Sequence, residues 1–153
     1  FNSSLNADAT SLSVKKYFHI GIAVDVPNGL LVPVIRDCDR KSIDEISGEI
    51  AHISEKARTR GLSMAEMSGG CFTLSSLGHI GGTGFTPVIN APEVAILGIC
   101  RTQGRFLADS SGLPVLRQLL PLSLSYDHRV INGADAARFL CAMAESLEAF
   151  DFQ

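Results

Sequence analysis

Two groups of side chains in this sequence are of types suited to chemistry. The first is His128, which lies in Ser125-Tyr126-Asp127-His128-Arg129 at the exit of an apolar run, shortly before the turn signal Asn132-Gly133. An imidazole titrates near neutral pH and can serve as a general base. The second is the pair Ser75-Ser76, which ends an apolar segment just before a glycine-rich stretch. Hydroxyls held at a strand end can donate to an oxyanion that develops on a carbonyl. The same residues also allow a serine nucleophile activated by His128, with Asp127 orienting the ring. Against that stand the lack of a G-x-S-x-G elbow and the alternation of an extended segment, which points Asp127 and His128 to opposite faces. A solvated ionic cluster or a capping interaction is the plainer meaning of Asp127-His128-Arg129 taken alone.

The glycine-rich stretch Gly78-His79-Ile80-Gly81-Gly82-Thr83-Gly84 has two readings. Backbone N–H groups there could approach a phosphate. Alternatively the glycines serve a tight connection that needs positive φ. The spacing is neither that of a P-loop nor a dinucleotide fingerprint.

Elements that could position these residues follow from pattern. Tyr17–Val24 and Leu30–Arg36 read as strands of a hairpin around Asn28-Gly29, with Pro33 arguing for an edge or a bulge. Ser42 and Glu45 form a capping box that opens a helix, whose apolar stripe is Ile43, Ile46, Ile50, Ile53 and Ala57. Arg58, Arg60 and Gly61 close it, and His52 sits beside the stripe as a surface or boundary residue. Ser63 and Glu66 repeat the cap on a short turn. Cys71–Ser76 and Glu93–Ile99 read as strands, residues 101–114 as a hairpin loop, and Leu116–Tyr126 as one long strand that delivers His128. A final helix begins at Gly133, with Ala134, Ala137, Leu140, Cys141, Ala144 and Leu147 on its predicted buried face. Residues 1–16 read as a loop or as the lead into a strand. The order implies an α/β fold: a two-layer sandwich with a mixed sheet and helices on one face.

Composition narrows the function classes. The chain has 153 residues, 46% hydrophobic and 19% charged, with a net charge of -3. That suits one globular domain with a core. No basic stripe points to nucleic acid, and no apolar run is long enough to span a bilayer. Cys38, Cys71, Cys100 and Cys141 form no C-x-x-C pair and sit mostly in apolar runs, so they read as buried free thiols in a reducing compartment. The four histidines show no metal-ligand spacing, so no metal is expected. The opening Phe1-Asn2-Ser3-Ser4, without a start methionine or a signal peptide, suggests a fragment or a processed chain.

Several blocks in order resemble one family. Ser125–Ala134 (Ser-Tyr-Asp-His-Arg-Val-Ile-Asn-Gly-Ala) resembles the active-site signature of the dihydrolipoamide acyltransferases, the E2 components of 2-oxo acid dehydrogenase complexes. His19–Asp25, Asn28–Ile35, Gly70–Gly78 and Asn90–Gly98 match as well, and the last two look most like the acetyltransferases of pyruvate dehydrogenase. The resemblance implies a chloramphenicol acetyltransferase-like fold, here N-terminally truncated, with residues 1–153 forming the C-terminal part of the catalytic domain. The lipoyl and peripheral-subunit-binding domains would lie outside it. It implies His128 as the base that deprotonates the coenzyme A thiol and Ser75 as the oxyanion donor, with Ser76 as its neighbour. Asp25 would line the substrate site, and Asn132, where most relatives carry aspartate, would orient the histidine loop. Asn132→Asp is then expected to leave turnover within an order of magnitude. The acyl group would pass between coenzyme A and a lipoyl group supplied by an absent domain, without a metal. Partners implied are a homotrimer, a larger cubic-type core with Ser75 and His128 contributed by different subunits, and the E1 and E3 components. The location would be the bacterial cytoplasm or the mitochondrial matrix. A catalytically silent core subunit, or another coenzyme A-dependent acyltransferase of the same fold, remain the alternatives.

Overall fold

The computed structural model describes residues 1–150. Its centre is a five-stranded mixed sheet. The strands are β3 (Ile20–Ile22), β6 (Val34–Ile35), β7 (Phe72–Ser76), β8 (Ala95–Ile99) and β11 (Leu122–Tyr126), in the order β11-β8-β7-β3-β6. β3, β7 and β8 run parallel, and the two edge strands, β6 and β11, run antiparallel to their neighbours.

The faces of this sheet differ in chemistry. Residues opposite one another in neighbouring strands share a face, and the face alternates along each strand. One face collects Ile20, Ile22, Phe72, Leu74, Ala95, Leu97, Leu124 and Tyr126. Helices α1 (Ile43–Thr59) and α3 (Gly133–Glu148) cover it: α1 packs on β6, α3 on β11, and the rings of Phe72 and Phe139 meet at 5.8 Å. The other face carries Gly21, Thr73, Ser75, Ile96, Gly98, Ser123 and Ser125, so it is mostly small or polar, with Ile96 buried among them. The two-layer α/β sandwich with helices on one face is therefore the observed arrangement.

The core clusters Val94, Ala95, Ile131 and Ala136, with Phe1, Phe72, Leu124, Tyr126 and Val130 packed around them. This cluster lies directly beneath the turn that carries His128. Burying a side chain such as Ile131 stabilises by about 1.5–3 kcal/mol, so the turn is anchored by packing.

Local signals behave as the sequence implies at the helix starts. The Ser42 hydroxyl accepts the Glu45 N–H, and the Glu45 carboxylate accepts the Ser42 N–H, so the capping box is closed. The Glu66 carboxylate likewise accepts from Ser63 at the start of α2 (Met64–Met67) and also takes the Lys56 ammonium, which ties α2 to α1. His52 is exposed, as expected. The hairpin expected at Asn28-Gly29 is present as β4 (Val24–Val26) and β5 (Gly29–Leu31), with its two-residue tip at Pro27-Asn28. Pro33 lies between β5 and the edge strand β6, where a missing N–H costs no ladder bond.

Several expectations are corrected. Leu116–Tyr126 is not one strand. It breaks at Leu120-Pro121 into β10 (Pro114–Leu119) and β11, because β10 pairs instead with β9 (Gln103–Ala108) in a separate hairpin. β9 thus occupies part of the expected loop 101–114, and only residues 109–113 turn. There Asp109 accepts the N–H groups of Ser111 and Leu113, and Gly112 takes φ +82°. Both strands of this hairpin are largely exposed, so neither shows the alternation that a half-buried strand would. Residues 1–16 form a small hairpin of β1 (Ser3–Leu5) and β2 (Leu12–Val14) rather than a loop. The strand expected at Tyr17–Val24 starts at Ile20 and breaks at Ala23, and that at Leu30–Arg36 splits into β5 and β6. On α3 the buried residue is Ala136, with Phe139, Leu140 and Met143 half-buried. Ala134, Ala137, Cys141, Ala144 and Leu147 face outward, so only Leu140 of the predicted face points in. All four cysteines are free; Cys71 and Cys100 are buried as expected, but Cys38 is half-buried and Cys141 exposed.

Candidate functional site

β11 ends at Tyr126, and the chain then makes a tight turn. The N–H of Asp127 donates to the Val94 carbonyl at 2.8 Å, and the N–H groups of Val130 and Ile131 both return to the Asp127 carbonyl at 2.9 Å. Val130 and Ile131 pack inward. His128 is therefore the exposed crest of a turn pinned at both ends, with its ring centroid 5.7 Å from that of Tyr126.

Asp127 does not serve His128. Its carboxylate accepts from the Arg129 backbone N–H, Nε and Nη2, the last at 2.6 Å. The Arg129 side chain holds this carboxyl below its usual range. With its oxygens given to Arg129, Asp127 is not the orienting member of a hydrolase triad, which removes the main support for that reading.

Asn132 is the N-cap of α3. Its Oδ1 accepts the Asp135 N–H at 2.9 Å, and its Nδ2 donates to the Asp135 carboxylate at 2.6 Å. Asp135 in turn pairs with Arg138 at 2.8 Å. The asparagine thus joins the His128 turn to the first turn of the helix, and it does so through a neutral amide facing a carboxylate.

Ser75 and Ser76 end β7. Ser75 is half-buried on the helix-free face, in one row with Gly98 and Ser123. Ser76 points the other way, is exposed, and its Oγ accepts the Gly78 N–H at 3.4 Å. The following loop is a tight connection: Ile80 and Gly81 both donate to the Leu77 carbonyl, Gly81 and Gly82 have φ of +138° and +88°, and Arg101 holds the carbonyls of Gly78 and His79. The N–H groups of Ile80 and Gly81 are thus spent on the turn itself, which accords with a tight connection that needs positive φ. Asp25 is exposed on β4, just past the end of β3, so it belongs to the same end of the sheet as Ser75.

His128 and Asn132 lie at the other end. Ser123 is level with Ser75, and the chain runs from Ser123 to Tyr126, roughly 10 Å, before the histidine turn begins. Two strand spacings of about 4.8 Å add to this across the sheet. The single chain therefore holds Ser75, Ser76 and Asp25 apart from His128 and Asn132.

One buried group near the site escaped the sequence reading. Glu93 is 6% exposed, and its carboxylate accepts the Thr73 hydroxyl at 2.6 Å. Burial pushes its pKa up, against the opposing pull of Thr73, Asn90 and Lys15. It ties β7, two residues before Ser75, to the segment that leads into β8. A glutamate opening an apolar run gives no local sign of such burial.

Comparison with known proteins identifies the family. A sequence model of the 2-oxoacid dehydrogenases acyltransferase (catalytic domain) matches residues 1–152. The chain belongs to this family. It is 58% identical, over 147 residues, to the dihydrolipoyllysine-residue acetyltransferase component of the pyruvate dehydrogenase complex of Pseudomonas aeruginosa, covering 96% of this chain and 27% of that protein. Among solved structures it is similar to the dihydrolipoamide acetyltransferase of Azotobacter vinelandii, studied for the role of a serine, a histidine and an asparagine in its catalytic mechanism. That likeness has a TM-score of 0.93 at 54% identity, covering 97% of this chain and 61% of the other. It is also similar to the cubic core of a pyruvate dehydrogenase multienzyme complex, with a TM-score of 0.87 at 57% identity over 92% of this chain and 57% of that one. The chain thus spans about a quarter of the Pseudomonas protein and about three-fifths of the solved chains. The chloramphenicol acetyltransferase-like fold implied by the motifs is that of this family.

Proposed function

We propose that the protein transfers an acetyl group between S-acetyldihydrolipoamide and coenzyme A within a pyruvate dehydrogenase complex. The observation that carries this reading is the His128–Asn132 pair. In the Azotobacter enzyme the asparagine follows the histidine by four residues, the interval found here, and both lie in a chain of the same family and fold. The exposed imidazole on its pinned turn is then the base that takes the proton from the coenzyme A thiol. The thiolate attacks the thioester carbonyl, and the C=O pair moves onto oxygen. Ser75 donates to that oxyanion. Collapse of the tetrahedral carbon expels the dihydrolipoamide sulfur, which takes the proton from His128. No covalent intermediate with the enzyme is needed.

Ser75 is preferred over Ser76 because it lies half-buried on the helix-free face beside Gly98, whereas Ser76 points to the face on which the helices pack. Asp25, near the Ser75 end, is assigned to substrate binding, and Asn132 to holding the histidine turn on α3. The gap between the two halves is accounted for by an oligomer in which Ser75 of one subunit meets His128 of the next, a trimer built into a cubic core with E1 and E3 as companions. The relatives named are bacterial, which accords with a cytoplasmic place. The test is transfer between acetyl-CoA and free dihydrolipoamide, by wild type and by His128→Ala. Loss of about 10²–10⁴-fold in turnover is expected for the variant. A wild-type assembly with no transfer at all would instead mark the silent core subunit.

A further inference from the structure

Gly98 sits between Ser75 and Ser123 on the helix-free face of the sheet. A Cβ built there would stand 2.7 Å from Cζ and 2.9 Å from Cε1 of Phe85. The tip of the Phe85 ring therefore rests on the backbone of β8 where a side chain would otherwise be. Strands in a sheet lie about 4.8 Å apart, so this ring and the Ser75 hydroxyl are side-by-side neighbours on one face. The ring is half-buried, and it reaches this place from the end of the loop whose glycines turn the chain back over the sheet.

We infer that Phe85 is the wall that limits the length of the acyl group. The inference rests on the proposed acyl transfer and deepens it. With the carbonyl oxygen held at Ser75, three other substituents surround the reacting carbon: the two sulfurs and the acyl chain. Both sulfurs belong to long arms that carry amides and must lead out to solvent. Only the acyl chain is short, apolar and without an exit. Phe85 offers an apolar surface with no polar atom and backbone directly behind it, which suits a methyl group and blocks a longer chain. Gly98 makes that placement possible, since any side chain there would collide with the ring.

The experiment compares acetyl-CoA and butyryl-CoA as donors to dihydrolipoamide, using the full-length protein in its assembled form. A methylene in an apolar pocket is worth about 10–200-fold in kcat/KM. Phe85→Ala should therefore raise the butyryl-to-acetyl ratio of kcat/KM at least about tenfold over wild type. Phe85→Leu, which keeps an apolar plug, should shift the ratio in the same direction but less. Gly98→Ala should lower acetyl transfer by displacing the ring, and Phe85→Leu added to it should recover part of the loss. Wild type that moves acetyl, with ratios unchanged in Phe85→Leu and in any assembled Phe85→Ala, would overturn the inference alone. Wild type that moves neither acyl group would overturn the underlying activity.

Discussion

Ser75 and His128 stand at opposite ends of one sheet, with β8 between their strands. The separation is built into the ladder register, and a one-residue slip would turn every side chain of β11 to the wrong face. If both residues serve one reaction, two chains must supply them. Ser75→Ala and His128→Ala should each be nearly inactive. Co-assembled in equal amounts, they should regain about a quarter of wild-type activity, because in a cyclic oligomer one pairing in four joins an intact serine to an intact histidine. Mixed assemblies that stay as inactive as the parents would place both residues in a single-chain site.

Ser75 and Ser76 are adjacent but face opposite ways. Ser75→Ala should lower kcat by about 10²–10³-fold, the usual cost of a lost oxyanion donor, with KM little changed. Ser76→Ala should stay within a few-fold of wild type. Steady-state kinetics on the two variants separates them, and the reverse ranking would reassign the oxyanion donor.

Asn132→Asp replaces a neutral donor 2.6 Å from the Asp135 carboxylate with a second negative charge. The N-cap itself survives, since aspartate accepts the Asp135 N–H as well as asparagine does. Stability should fall by about 1 kcal/mol from the lost hydrogen bond and the like-charge contact. Turnover should stay within an order of magnitude. Adding Asp135→Ala should return most of the stability in a denaturant titration. If the single variant is as stable as wild type, the Asn132–Asp135 contact contributes nothing.

Glu93 imposes a pH dependence with a definite sign. Its folded pKa lies above the ordinary carboxylate value, first because of burial. The folded protein therefore holds this proton more tightly than the unfolded chain. The group's contribution is greatest at acid pH and is lost as pH rises from the unfolded value of about 4.3 through the raised folded one. Glu93→Gln should remove that loss, so its Tm relative to wild type should climb across this window. A difference that is constant with pH would show that Glu93 titrates alike in both states.

Much of the fold could be read locally. Ser42 with Glu45 and Ser63 with Glu66 marked the starts of α1 and α2, because caps act within three or four residues of chain. Phe72–Ser76 and Ala95–Ile99 stood out as apolar runs because they are interior strands. The β9–β10 hairpin did not stand out, since it lies exposed on both faces and its partner is its only context. α3 misled for another reason. Its alanines give it two apolar sides, and periodicity alone does not choose between them; the stacking of Phe139 on Phe1 and its contact with Phe72 do.

The sequence by itself determined which residues could react, and the family to which the chain belongs, because motif chemistry is carried by residue types at short, preserved intervals. It also marked the turn signal at Asn132-Gly133 and the helix that starts at Gly133, whereas the capping role of Asn132 came from the structure. Only the tertiary structure decided that Asp127 serves Arg129 rather than His128, that Phe85 lies against Gly98 beside Ser75, and that Ser75 and His128 are held apart. Each of these depends on sheet order and register. Those are settled by packing between segments distant in the chain, which no local pattern records.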